Sequence, residues 1–157
     1  MILPAQHQIR LLAADETPPM ALLLEGDSSE RMIARYLSQS QVFVYEESGA
    51  TIGVCVLQNT SDDTCEVMNI AVSAERRNQG IGKKLLLHAV NFARSSGCRS
   101  IEIATGNSGI GQLYLYQRAG FEMVSLELDY FVKNYDEPIV EDGIACRHRI
   151  RLRLNFV

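Results

Sequence analysis

Three features of this 157-residue chain predict a mixed α/β fold. β-branched, apolar runs of strand length recur along it. Longer segments between them carry apolar residues at helical spacing. Glycine or a polar pair punctuates most junctions. The resulting order is β-α-α-β-β-β-α-β-α-β-β: a meander, a β-α-β crossover and a closing hairpin on one mixed sheet. The length suits one domain, residues 1–157, on a prior of roughly 100–200 residues per domain.

"QIRLLAA" (8–14) reads as the first strand. "TPPMALLLEGD" opens with prolines that suit a helix start. "SSERMIARYLSQS" continues helically, with Met32, Ile33, Tyr36 and Leu37 on one face and Ser28 or Ser29 as cap. "QVFVYEE" and "ATIGVCVLQN" are strands split by the hairpin signal Ser48-Gly49. "TCEVMNIAV" closes the meander. A helix over Gln79 to Ser96 has Leu85, Leu86, Ala89, Val90 and Ala93 as its buried stripe and Gly97 as its stop. "SIEIAT" is a strand, "SGIGQLYLYQRA" a second helix ending at Gly120. "FEMVSLELDYFVKNY" and "GIACRHRIRLRLNF" read as two long strands joined through the tight turn Asp142-Gly143. The β-α-β segment from 65 to 105 should be right-handed.

Hydrophobic content of 46% and charged content of 22% are those of a globular protein. No run approaches ~20 apolar residues, so no membrane span or membrane partner is expected. The N-terminus lacks the pattern of a signal peptide, which makes a cytoplasmic location the expectation. The net charge of −4 argues against a nucleic-acid partner. Cys55, Cys65, Cys98 and Cys146 form no C-x-x-C, so no metal is expected, and four buried reduced thiols is the plain reading.

The informative stretch is "AVSAERRNQGIGKKLLLHAV" (71–90), where a strand gives way to a helix through G-x-G. A Walker loop fails: Arg77 stands where its first glycine belongs and Lys84 where Ser or Thr belongs. A dinucleotide fingerprint has Leu85 in place of its third glycine. What survives is Arg77-Asn78-Gln79-Gly80-Ile81-Gly82, the pattern [QR]-x-x-G-x-[GA]. The first N–H groups of a helix lack internal partners and carry partial positive charge. Glycines let an anion approach the backbone, so a pyrophosphate fits. Arg76, Arg77, Lys83 and Lys84 should add positive field.

This loop resembles the acetyl-CoA loop of the GCN5-related N-acetyltransferases, the GNAT family. The preceding "EVMNIAV" is similar to that family's strand, and "LYQRAGF" (115–121) to the end of its second helix. The likeness covers essentially the whole chain, tightly from 65 to 121. It extends to small bacillus-type members, one of them labelled an IAA acetyltransferase.

The resemblance implies transfer of an acetyl group from acetyl-CoA, as co-substrate, to a primary amine by direct attack. It implies that backbone from Arg77 through Lys83 (Asn78, Gln79, Gly80, Ile81 and Gly82 between) holds the pyrophosphate. It implies that the pantetheine pairs with the strand end Ile70, Ala71 and Val72, whose side chains also suit core packing. Tyr116 is then the general acid to the leaving thiolate, with Tyr114 out of phase on the same helix. Glu66 is the candidate base; the alternative is a structural carboxylate, with water relaying the proton. Where the family often carries asparagine, this chain has Gly109. Asn107 is left to reach the cofactor or to cap the helix. His88 reads as a packing residue.

The acceptor, a small molecule or a peptide, would sit where the likeness is weakest. Glu25, Asp27 and Glu30 either attract its cationic amine or are ordinary helix N-terminal acids. Arg147, Arg149, Arg151 and Arg153 share one strand face, as a solvated row protecting an edge or as a surface for an acidic partner. Tyr130, Phe131 and Tyr135 can wall a substrate pocket or a homodimer contact. The alternative to an enzyme is a CoA-binding regulatory module of the same fold; an intact loop together with Tyr116 favours the enzyme.

Overall fold

The computed structural model describes residues 1–157. Strand β1 (His7–Leu11) leads into two short helices, α1 (Met20–Gly26) and α2 (Glu30–Leu37). The meander follows as β2 (Gln41–Glu47), β3 (Ala50–Asn59) and β4 (Thr64–Val72). Helix α3 (Ile81–Ser95) crosses to β5 (Ser100–Gly106), and α4 (Ile110–Arg118) crosses to β6 (Glu122–Glu127). A five-residue helix α5 (Tyr130–Asn134), a ribbon of β7 (Val140–Glu141) and β8 (Ile144–Ala145), and β9 (Arg149–Asn155) complete the chain. Seven strands make one sheet, ordered β1-β2-β3-β4-β5-β9-β6. Only β4 and β5 are parallel.

Alternation along the strands divides the core between the two sheet faces. On one face Phe43, Cys55, Val67, Ile103 and Leu152 pack under α3 and α4. The α3 stripe expected from spacing is buried there, with Ile81 added. On the other face Val42, Val44, Val54 and Val56 pack under Leu22, Leu23, Ile33 and Tyr36 of α1 and α2. Ser29 caps α2 by accepting from Met32 N at 3.2 Å. Ser48 and Gly49 both hold positive φ, 50° and 82°, which closes the β2–β3 hairpin as its dipeptide requires.

Four expectations are corrected. The long strand over 121–135 stops at Glu127. Asp129 turns the chain with φ 55° while its N–H donates to His148 Nδ1 at 2.9 Å, and Tyr130–Asn134 then coils into α5. The last strand is also split. Asn107 Oδ1 accepts the N–H groups of Arg147 and His148, which removes them from any ladder. Asp142 and Gly143 close the β7–β8 ribbon, not a hairpin of β6 with β9. Strand β9 lies between β5 and β6, so its arginines protect no edge. Finally, Cys65 and Cys98 lie 6.5 Å apart at Cα with their sulfurs bonded, leaving Cys55 and Cys146 free. That contact joins the start of β4 to the turn after α3, a juxtaposition that spacing does not reveal.

Candidate active site

The sheet opens at its centre. Strands β4 and β5 pair from Thr64↔Ser100 to Val67↔Ile103 and then part. Beyond that point β5 pairs only with β9, and Asn69–Val72 of β4 pairs only with β3. A register shift between Val56 and Leu57 of β3 leaves Met68 as an extra residue at the point of divergence. In this antiparallel register Ala71 turns its backbone groups to β3, while Ile70 and Val72 turn theirs to a wedge with no strand in it. An extended ligand can hydrogen-bond there as an added strand does.

The loop after β4 lies at the mouth of this wedge. Residues 74–76 make a single 3-10 turn. Arg77, Asn78, Gln79 and Gly80 are exposed, and Asn78 and Gly80 take left-handed φ of 61° and 82°. Gly80 is the N-cap of α3 and no side chain caps the helix. The first internal bond is Lys84 N to Gly80 O at 3.1 Å, which leaves the N–H groups of Ile81, Gly82 and Lys83 to outside partners. A Cβ at Gly80 would meet nothing within 4 Å, and one at Gly82 only Val72 Cγ2 at 3.9 Å. The approach to these donors is open. The expected positive field is partly spent elsewhere. Arg76 pairs with Glu47; Arg77 pairs with Glu25 at 3.0 Å and donates to Val72 O at 3.2 Å. These arginines brace the loop, while Lys83 and Lys84 are exposed and in no ion pair.

Tyr116 is 3% exposed and sits in the core between α4 and the sheet, its ring 6.4 Å from that of Phe121. Tyr114, two residues away, is 68% exposed, so the structure separates the two tyrosines. Burial raises the Tyr116 phenol above its ordinary range, and neighbouring Cys55 adds to the shift. No hydrogen bond from the protein offsets that burial.

Glu66 faces the opposite side of β4 and is paired with Arg151 of β9. Arg151 also lies 3.7 Å from Glu127, which holds Arg149 at 2.7 Å. Glu102 and Arg153 pair at 3.1 Å. The arginine row is thus neutralised by glutamates from β4, β5 and β6, and these pairs lie on the half of the sheet that α1 and α2 do not cover. Glu66 thus has a cation against it.

A further network joins Asn69, which sequence reasoning did not single out, to Tyr36, Asp27 and Tyr135. Asn69 Nδ2 donates to Leu23 O at 2.9 Å and to Tyr36 Oη at 3.0 Å. Tyr36 donates to Asp27 at 3.3 Å, and Tyr135 donates to Asp27 at 2.8 Å. Burial raises the Tyr36 phenol against the opposing hydrogen bond from Asn69, and the Asp27 charge reinforces the rise. Burial and Asp27 likewise raise Tyr135. The available signal was Asn69 itself, a lone amide in the apolar run "EVMNIAV".

One expected role of Asn107 is corrected: Gly109 is the N-cap of α4, so Asn107 does not cap it. Within the protein its Oδ1 accepts from Arg147 and His148, and its Nδ2 donates to Ala145 O at 3.0 Å. His88 packs edge-on to Phe43 at 4.8 Å, as a packing residue should.

Residues 8–121 match the model of the acetyltransferase (GNAT) family. The chain belongs to the GNAT family. This GNAT chain is 41% identical over 135 residues to the uncharacterized N-acetyltransferase YvbK of Bacillus subtilis, covering 86% of the chain and 87% of that protein. It superposes with TM-score 0.92 on an IAA acetyltransferase from Bacillus cereus, at 44% identity, covering 96% of the chain and 100% of that structure. A GNAT acetyltransferase from Elizabethkingia anophelis, solved with acetyl-CoA bound, superposes with TM-score 0.93 at 37% identity, covering 96% and 98%. No helix of the chain is long and apolar enough to cross a membrane.

Proposed function

We propose that this chain transfers the acetyl group of acetyl-CoA to a primary amine, by direct attack in a ternary complex. The observation that carries the reading is the open wedge of β4 with the uncapped, glycine-flanked start of α3 at its mouth. Ile81, Gly82 and Lys83 offer their N–H groups to the pyrophosphate, with Lys83 and Lys84 as nearby cations. Ile70 and Val72 bind the extended pantetheine through backbone. A β4 backbone N–H beside the thioester stabilises the oxyanion, which is typically worth roughly 10²–10³ in rate.

As the C–N bond forms and the C–S bond breaks, Tyr116 delivers a proton to the departing thiolate. Its raised pKa keeps it protonated in the resting enzyme, and general acid help of this kind is worth roughly 10²–10⁴. The amine must lose a proton first, since an alkylammonium titrates near ~10.4. Glu66 can take it directly only through a carboxylate already engaged by Arg151. Water leading to Glu66 is the more economical route.

The test is thiol release from acetyl-CoA in the presence of polyamines, amino acids, aminoglycosides or N-terminal peptides. Amine-dependent release with an N-acetylated product supports the reading. Tight CoA binding without turnover on any amine would instead favour a regulatory module.

A further inference from the structure

We propose that β6 is a dimerisation edge, along which a second copy of this chain pairs antiparallel and continues the sheet across a two-fold axis. The strand ends the sheet order, and only β9 pairs with it. Its backbone direction follows from the neighbouring ladder. Phe156 N donates to Arg99 O at 2.8 Å and Asn107 N to His148 O at 2.9 Å, which fixes the phase of the β5–β9 pairing. Ile150, Leu152 and Leu154 therefore turn their backbone groups to β5, and Arg149, Arg151 and Arg153 turn theirs to β6. The residues opposite them, Glu122, Ser125 and Glu127, face back to β9. Met123 and Leu126 point their N–H and C=O groups outward, to a side with no strand.

The side chains of this edge are as unprotected as the backbone. Met123, Val124, Leu126 and Leu128 are each between 45% and 63% exposed. Edge strands are ordinarily blunted by lysine, proline or charge. The opposite edge is blunted: β1 is five residues long, and its Arg10 is tied to Glu16 and Glu46. From Glu122 to Glu127, β6 has no lysine or proline, and the Glu127 carboxylate is held by Arg149.

Self-pairing suits the sequence. Two-fold symmetry brings the same patch to both sides of an interface. A dyad through Leu126 sets Leu126 against the partner's Leu126, Val124 against the partner's Leu128 and Ser125 against the partner's Glu127. Apolar residues then meet apolar ones, and no like charges face each other. The same register pairs the outward backbone groups of Leu126 with those of the partner's Leu126. Area agrees. The chain exposes 9378 Å², against about 7,900 Å² expected of a compact monomer of 17.5 kDa. The excess of about 1,500 Å², to which the exposed residues 1–6 contribute, is about twice what one partner gives to a stable interface.

The test is sedimentation equilibrium of the full chain from about 1 to about 100 μM. The wild type should run as a dimer of two 17.5 kDa chains. Leu126→Lys, which puts two cations at the dyad, should weaken association at least about 100-fold. Leu126→Pro, which removes an N–H that β9 does not use, should act alike. Leu87→Lys, at an exposed leucine of α3, should leave the dimer intact. Amide exchange of the wild type decides the matter even where a Leu126 variant fails to fold. The Leu126 N–H should be protected at high concentration and lose that protection on dilution. A wild type that is monomeric throughout, masses above a dimer, a dimer that survives both Leu126 substitutions, or an unprotected Leu126 N–H in the dimer overturns the proposal.

Discussion

Gly26→Ala sets two effects of opposite sign against each other. Gly26 ends α1 with no left-handed φ, so helix propensity favours alanine by up to about 1 kcal/mol. Packing opposes it. The new Cβ would overlap Asn69 Oδ1 and lie 3.0 Å from Asn69 Cγ and 3.3 Å from Ile70 O. Asn69 is 4% exposed and has no space to give without turning. Turning it breaks two bonds, to Leu23 O and Tyr36 Oη, each worth about 1 kcal/mol net. Displacing α1 instead is overpacking, which costs about 1–3 kcal/mol. With the propensity gain subtracted, turning Asn69 leaves a net loss of about 1–2 kcal/mol, and at this size each kcal/mol lowers Tm by about 2–4 °C. Thermal unfolding of Gly26→Ala, Asn69→Ala and the double variant measures it. Gly26→Ala should melt lower than wild type, and in the Asn69→Ala background it should cost little more. An unchanged or raised Tm for the single variant would refute the close-packing argument.

Tyr116→Phe should lower turnover at least about tenfold with CoA affinity and Tm nearly unchanged, because the lost hydroxyl has no protein hydrogen bond; stopped-flow rates beside a melting curve check this. Glu66→Gln strips Arg151 of its nearest counter-charge and should destabilise the fold, whereas Glu66→Gln with Arg151→Met should recover most of the loss, as denaturant unfolding will show. In acid, the Arg10 guanidinium holds the Glu16 carboxyl at about 2, below its ordinary 4.5. A depressed carboxylate stabilises above its unfolded pKa and stops doing so as pH falls through the folded one. Tm should therefore fall between about pH 5 and pH 2. Arg10→Met should flatten that slope, and an equally steep slope would remove Arg10 as its cause.

Patterning made the core legible. The spacing of Leu85, Leu86, Ala89, Val90 and Ala93 placed the α3 face, and the glycine pair placed the uncapped start of that helix, because both are local consequences of backbone geometry. Tyr116 followed from a motif and proved to be the buried tyrosine of its helix. What stayed hidden depends on distant contacts. The arginine row looked like an edge because alternation gives a face but not neighbours; only the strand order shows β9 between two strands that supply its glutamates. Helix α5 was lost inside an apolar run with good strand propensity, since the turn at Asp129 is held by His148, 19 residues on. Asn107 lies two residues before the position where the family often carries asparagine, and its amide is used by a segment 38 to 41 residues away.

The most direct test of direct acetyl transfer is a set of initial rates at crossed concentrations of acetyl-CoA and a primary amine, with the product identified by mass spectrometry. A ternary complex predicts double-reciprocal lines that intersect and an N-acetylated amine as product. Parallel lines, the mark of a covalent acetyl-enzyme, or thiol release that does not depend on the amine, would contradict it.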